Sequence, residues 1–261
     1  MQNQSLEESI ITALDGTDPR ILKYIPYILQ DFWELGTPPE DIIEIIKRLK
    51  SDYSRLSVLD LGSGKGAVSI NLAKELKCKC FGIDGMEEFI NFSNVKAKEY
   101  SVESICIFEK GDIRIRLENS GKFDVIILGA IGTVFGNYFE TLTKLKSHLN
   151  KGGIIIINDA YINDNVDKSA YPNIFQKTDL MEQAENAGME LVYLLTDDEV
   201  SETTDEYKIE LNNLTKRCME LTEKYPEDKD LFLGFIKKQT REYEILSNEI
   251  VPAIFVFKMI N

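Results

Sequence analysis

The sequence predicts an α/β fold: a mostly parallel sheet of seven strands with helices on both faces, an antiparallel last strand and a helical lid. Three observations lead there. Short apolar runs, such as residues 123–128 and the four isoleucines 154–157, alternate with segments of helical periodicity, the pattern of strands covered on both faces. Glycines gather at one strand-to-helix junction, Gly62-Ser63-Gly64-Lys65-Gly66, where the backbone must turn sharply and a ligand can touch main chain. Finally, a polar helical stretch from Asp205 to about Asn248 separates the last two strands and reads as an insertion.

In chain order, residues 1–50 form a helical preface. Asp18-Pro19 followed by Ile21, Leu22, Ile25, Ile28 and Leu29 predicts a capped helix that Pro26 bends or interrupts. Pro38-Pro39-Glu40-Asp41 opens a second helix over 42–49, with Thr37 as its cap. Tyr24, Tyr27, Phe32 and Trp33 form an aromatic cluster suited to core packing or to one wall of a pocket. From Val58 the alternation begins with a strand, the glycine turn and a helix over 67–77. Strand 78–84, helix 87–100 and strand 105–110 follow, then a turn at Gly111-Asp112. Strand 123–128, helix 139–149 and strand 154–158 come next, the last entered through Gly152-Gly153. A helix ending at Gly188, strand 189–195, the insertion broken near Pro226 and strand 250–259 complete the chain. The expected organisation is a helical cap over 1–50, a core over 51–200, a lid over 201–248 and a last core strand over 249–261.

Lys and Arg total 30 against 44 Asp and Glu, a formal charge of −14, which repels a nucleic-acid backbone. No apolar run reaches the roughly 18 residues of a membrane span, and the N-terminus lacks a basic start, so a soluble, cytoplasmic protein without membrane partners is expected. Cys78, Cys80, Cys106 and Cys218, with one histidine in the chain, make a poor zinc set; buried apolar thiols and no metal are expected. His148 lies at the end of a helix remote from the strand carboxyl ends and is assigned a helix-terminal or surface role.

Gly62-x-Gly64-x-x-Ala67, with Asp84 about twenty residues on, also fits the broad dinucleotide fingerprint. Asp60 weighs against it: a carboxylate two residues before Gly62 suits a ligand with a cationic amine, not a double phosphate.

The ordered series Asp60-Leu61-Gly62-Ser63-Gly64-Lys65-Gly66, Gly82-Ile83-Asp84, Gly111-Asp112-Ile113, Phe123-Asp124-Val125-Ile126-Ile127 and Lys151-Gly152-Gly153 resembles the motifs of class I S-adenosylmethionine-dependent methyltransferases, which have a Rossmann-like sheet. The resemblance covers residues 55–160 closely and leaves out the preface and the insertion. Gly85-Met86 departs from the usual residues after the second acidic motif. It implies S-adenosylmethionine as cofactor, with Asp60 and the Gly62, Ser63, Gly64 and Gly66 backbone at its methionine end. It further implies Asp84 at the ribose hydroxyls, flanked by Gly85 and Met86, and Asp112 and Ile113 at the adenine. Gly129 and Ala130, with Ile131, would line the sulfonium. Asp159 or Tyr161 could orient or deprotonate an acceptor, and Tyr24, Trp33, Tyr161 and Tyr171 could bind it. The expected partner is a small-molecule acceptor, and the expected state a monomer or homodimer. Alternatives are a module that binds S-adenosylmethionine or S-adenosylhomocysteine without methyl transfer and, more distantly, an NAD-dependent oxidoreductase.

Overall fold

The computed structural model describes residues 4–14, 16, 18–171, 174–196 and 204–260. Its chain divides into two compact units: Glu34–Ser201 with Val251–Asn261, and Met1–Trp33 with Glu202–Ile250.

The first unit carries the sheet. Its strands are β1 (Ser57–Leu61), β2 (Lys79–Asp84), β3 (Cys106–Lys110), β4 (Phe123–Gly129), β5 (Leu149–Ile162), β6 (Phe175–Gln176), β7 (Met189–Thr196) and β8 (Val251–Met259). Its helices are α1 (Pro39–Leu49), α2 (Ala67–Leu76), α3 (Glu87–Glu99), α4 (Ile113–Glu118), α5 (Tyr138–Lys146) and α6 (Lys177–Asn186). The sheet order is β3-β2-β1-β4-β5-β8-β7, with β6 beside β5. The pairs from β3 through β5 are parallel, and β8 runs antiparallel to both β5 and β7. The mixed, mostly parallel sheet read from the apolar runs is therefore present, with the two-residue β6 as an eighth strand. Strand order reverses between β1 and β4, and ligands of open parallel sheets bind beyond the carboxyl ends at such a point.

Burial matches the sequence pattern. Ile154–Ile157 of β5 are each at most 6% exposed, and each such side chain contributes about 1.5–3 kcal/mol through the apolar surface it removes from water. β5 also runs farther than the strand expected over 154–158. Its ladder with β8 continues through Asp159↔Ala253 to Tyr161↔Val251, so Asn158-Asp159 lies within the strand despite its polarity. Helix α1 has Pro39 at its first position, Glu40 and Asp41 in its first turn and Lys47 and Arg48 in its last, matching the helix dipole. Thr37 does not cap it. The cap position is Pro38, without a side-chain bond, and the Thr37 hydroxyl instead accepts from Asn158.

The thiols distant in sequence meet in the sheet: Cys80 and Cys106 are register partners on β2 and β3, and Cys78 Sγ lies 3.7 Å from Cys80 Sγ. All four cysteines are free and buried. Among the described residues no group of three or more metal-ligating side chains is arranged to hold an ion. No described helix is long and apolar enough to cross a membrane.

The second unit is helical. Ser5 and Glu8 form a reciprocal capping box on helix Leu6–Ala13. Asp18 accepts from Arg20 N at 3.0 Å, and the prolines at 19 and 26 divide the next stretch of chain into a 3-10 turn, Pro19–Tyr24, and a short helix, Ile25–Ile28. The polar insertion forms helices Thr204–Lys224 and Lys229–Asn248, interrupted at Pro226–Asp228 as the proline requires. The two segments of this unit are tied by Arg217, which pairs with Asp31 and Glu220, and by Gln239, which donates to Leu14 O at 2.9 Å.

Candidate functional site

The site is built around the glycine turn between β1 and α2. Gly62, Gly64 and Gly66 have φ of +75°, +51° and +76°, the left-handed region that side chains disfavour. The turn is pinned from below: Gly62 N and Ser63 N both donate to Ile83 O on β2, at 2.9 and 3.0 Å. Gly64 N donates to Asp84 Oδ2 at 2.9 Å. Ser63 Oγ is buried with no hydrogen-bond partner, alone in this among the described residues.

Two acidic residues flank the turn. Asp60, 3% exposed on β1, accepts from Ser69 Oγ of α2 at 2.7 Å. Its burial pushes its pKa up to about 6, the Ser69 bond opposing the rise and the charge of Asp84 adding to it. Asp84 ends β2, and its second oxygen accepts from Met86 N at 2.8 Å. Burial raises its pKa while bonds from the Met86, Gly64 and Gly85 backbone pull it down. Gly85 and Met86 thus form the short link by which Asp84 enters α3.

Asp112 lies just past β3 and caps α4, accepting from Arg114 N at 2.9 Å. The Arg114 guanidinium also grips it, Nε to Oδ1 at 2.9 Å and Nη2 to Oδ2 at 2.7 Å, holding the carboxyl below its usual range. Ile113 is buried beside it.

On the other side of β1, Gly129 ends β4, and Ala130 takes φ +51° as it donates to Asn158 O at 3.1 Å. Asp159 accepts from Tyr138 Oη at 3.0 Å and from Ala160 N at 2.8 Å. Tyr161 is buried, its ring 6.0 Å from that of Phe255 and 5.3 Å from Lys177 Nζ. Tyr171 is half-buried after a 3-10 turn at Lys168–Ala170.

The sheet unit therefore gathers Asp60, the glycine turn, Asp84, Asp112, Gly129 and Ala130 at or just past strand ends, with Asp159 inside β5, one residue beyond the partner of Gly129. Tyr24 and Trp33 belong to the helical unit. There Tyr24 is buried, donating to Asp228 Oδ2 at 2.6 Å with its ring against Tyr225 and Phe232. His148 lies just past α5, with Nδ1 3.2 Å from Gly121 O, beside the amino end of β4 and away from this cluster. Sequence reasoning passed over Leu35 and Tyr138, and placed Asn158 only at the end of a strand and the start of the acceptor-facing segment. Leu35 and Tyr138 sit in no motif, and only the sheet register brings Asn158 opposite Gly129.

A mostly parallel sheet with an antiparallel end, a glycine turn at its switch point and carboxylates at the end of β2 and just past β3 define a Rossmann-like nucleoside-cofactor domain of the methyltransferase type. A family model described as a methyltransferase domain matches residues 52–245, and the chain belongs to that family, among the class I S-adenosylmethionine-dependent methyltransferases. It is similar to the ubiquinone biosynthesis O-methyltransferase of Rickettsia typhi, 28% identical over 128 residues, which are 46% of this chain and 47% of the relative. It is also similar to the malonyl-[acyl-carrier protein] O-methyltransferase of Bacillus cereus, 30% identical over 119 residues, 45% of this chain and 42% of that one. The chain spans about half the length of these curated relatives. In fold it is similar to a methyltransferase from Geobacter sulfurreducens solved with S-adenosylhomocysteine, with TM-score 0.72, 18% identity and 93% and 98% of the two chains covered.

The residues present suit the family's cofactor chemically. Asp84 is a carboxylate at a strand end, with two acceptor oxygens to meet the adjacent donors of a diol. Asp60 is a buried carboxylate that a cationic amine would stabilise as an anion. Ser63 Oγ is a buried hydroxyl in the turn with a hydrogen bond still to give.

Proposed function

We propose that this protein transfers the methyl group of S-adenosylmethionine to a small-molecule acceptor, with a hydroxyl oxygen as the favoured target. The observation that carries the reading is the convergence of Asp60, the glycine turn, Asp84 and Asp112 at neighbouring strand ends. When bound, the cofactor supplies a methyl group already activated on a sulfonium. Asp84, with Gly85 and Met86 beside it, takes the ribose hydroxyls. Asp60 and the backbone of Gly62, Ser63, Gly64 and Gly66 hold the methionine end. Asp112 accepts from the adenine amino group, Ile113 meets the ring edge, and Gly129 and Ala130 line the sulfonium.

Beyond this the chain must align the acceptor and exclude water, which supply much of the acceleration in such a displacement. A hydroxyl must also lose a proton, and Asp159 is the proposed group that orients or deprotonates it, with Tyr161 as a second candidate. Oxygen is favoured because both curated relatives named above are O-methyltransferases. Tyr171 is proposed as an acceptor-contacting aromatic beside Tyr161, whereas Tyr24 is engaged within the helical unit by Asp228, Tyr225 and Phe232. The formal charge of −14 disfavours nucleic acid as the acceptor, and a monomer or homodimer is proposed.

The test is methyl transfer from labelled S-adenosylmethionine to panels of small phenols, carboxylic acids and amines, with wild type and D159N. Labelling of hydroxyl compounds, with a rate that rises with pH in wild type and loses that limb in D159N, is the expected result. Labelling of amines alone overturns the choice of oxygen, and unchanged D159N turnover at every pH removes Asp159 as the base.

A further inference from the structure

We propose that Asn158 is a positioning residue that clamps residues 35–37 as a strap across the glycine turn and thereby retains the cofactor; this rests on the cofactor reading above. Asn158 stands on β5 opposite Gly129, at the carboxyl end of the sheet. Its Nδ2 donates to Gly36 O at 2.5 Å and to Thr37 Oγ1 at 3.0 Å, while its backbone carbonyl accepts from Ala130 N at 3.1 Å. One residue therefore holds both the strap and the loop that leaves β4.

The fit is close on three sides. A methyl group on Gly129 would stand 2.6 Å from Thr37 Oγ1, so only glycine there admits the strap. One on Gly36 would stand 3.0 Å from Ala130 Cβ. One on Gly64 would stand 3.1 Å from Leu35 Cδ1, which places the Leu35 side chain over the turn. Thr37 is 4% exposed, although residues 34–38 belong to no helix or strand. With no ladder to hold it, the strap owes its position to these side-chain bonds and contacts. Leu35 is then an apolar cover over the turn assigned to the methionine end. Release of the cofactor requires that cover to lift, and lifting it breaks the Asn158 bonds.

The test is the release rate of bound labelled S-adenosylhomocysteine, chased with unlabelled ligand, from wild type, N158D, L35A and the double variant, with thermal unfolding run on each. N158D keeps the size of the side chain and removes its donor. Release at least about tenfold faster is expected from N158D, the effect of two lost hydrogen bonds of ordinary strength. L35A is expected to release faster as well, and the double variant no faster than the faster single, since both act through one strap. In ligand-free N158D the amides of Leu35 and Thr37 exchange hydrogen faster than in wild type. Unchanged release from folded N158D, or additive effects in the double variant, overturns the role of Asn158. Should N158D not fold, unchanged release from L35A overturns it. Failure of wild type to bind S-adenosylhomocysteine overturns the cofactor reading and the retention role with it.

Discussion

Tyr138 Oη donates to Asp159 Oδ2 at 3.0 Å, joining the first residue of α5 to the strand β5 that ends the parallel part of the sheet. Tyr138 is 4% exposed, and its ring meets those of Phe175, Phe255 and Phe257 edge-on at 5.6, 5.9 and 6.2 Å. Burial raises the pKa of both groups, and the charge of Asp159 raises that of Tyr138 further. The phenol therefore stays a donor to Asp159, its ring framed by the three phenylalanines.

Y138F keeps the ring packing and removes the donor. A part-buried carboxylate that loses a hydrogen bond costs on the order of 1 kcal/mol, so Y138F is expected to be less stable by that order at neutral pH. The sign of its pH dependence comes from the bond, which pulls the Asp159 pKa down against burial. Its loss raises that pKa further, so the deficit is largest where wild-type Asp159 is ionised and shrinks as pH falls and the carboxyl protonates. Denaturant titrations of both proteins across the acid range measure this.

Asp60 has the opposite balance. Its folded pKa of about 6 lies above its ordinary 3.8, so ionised Asp60 costs the ligand-free fold stability, fully above pH 6 and progressively less as pH falls toward 4. A shift of that size corresponds to about 3 kcal/mol at neutral pH, taken as an order of magnitude. D60N is expected to be more stable than wild type at pH 7, to converge with it below about pH 4, and to bind S-adenosylhomocysteine more weakly. Melting curves at both pH values and a binding titration check the two halves.

Arg114 depresses the Asp112 pKa, chiefly through its side-chain bonds. The stabilisation is present above the unfolded value and is lost as pH falls through the lower folded one. R114A is expected to cost about 1 kcal/mol at pH 7 and nothing measurable once the pH is low enough that Asp112 is protonated in both proteins. It should also weaken discrimination between S-adenosylhomocysteine and its hypoxanthine analogue, because an anion held as a pure acceptor selects an amino group over a carbonyl. Competition binding of the two ligands reads that ratio.

The reach of the sequence differs from element to element. Apolar runs and the glycine turn marked β1, β2, β4 and the core of β5 because a parallel strand buried on both faces has few other ways to be written. Pro226 marked the break in the insertion because proline lacks the donor a helix interior needs. The continuation of β5 from Asp159 to Ile162 was hidden because its partner, β8, lies almost one hundred residues later and polar side chains obscure the strand period. Thr37 looked like a helix cap from local composition, while its actual partner, Asn158, is 121 residues away. Asp60, Asp84 and Asp112 were singled out because the motifs around them resemble those of the methyltransferase family, and the structure places Asp60 on β1, Asp84 at the end of β2 and Asp112 just past β3. The Tyr138 partner of Asp159 was not, because it depends on how α5 packs on the sheet.

Whether the glycine turn and Asp84 hold S-adenosylmethionine is tested most directly by calorimetric titration. Wild type and D84A are titrated with S-adenosylmethionine, S-adenosylhomocysteine and NADH. Wild type is expected to bind the first two and not NADH, and D84A, still folded, to lose that binding. Binding of NADH alone, or D84A binding S-adenosylhomocysteine as tightly as wild type, would contradict the assignment.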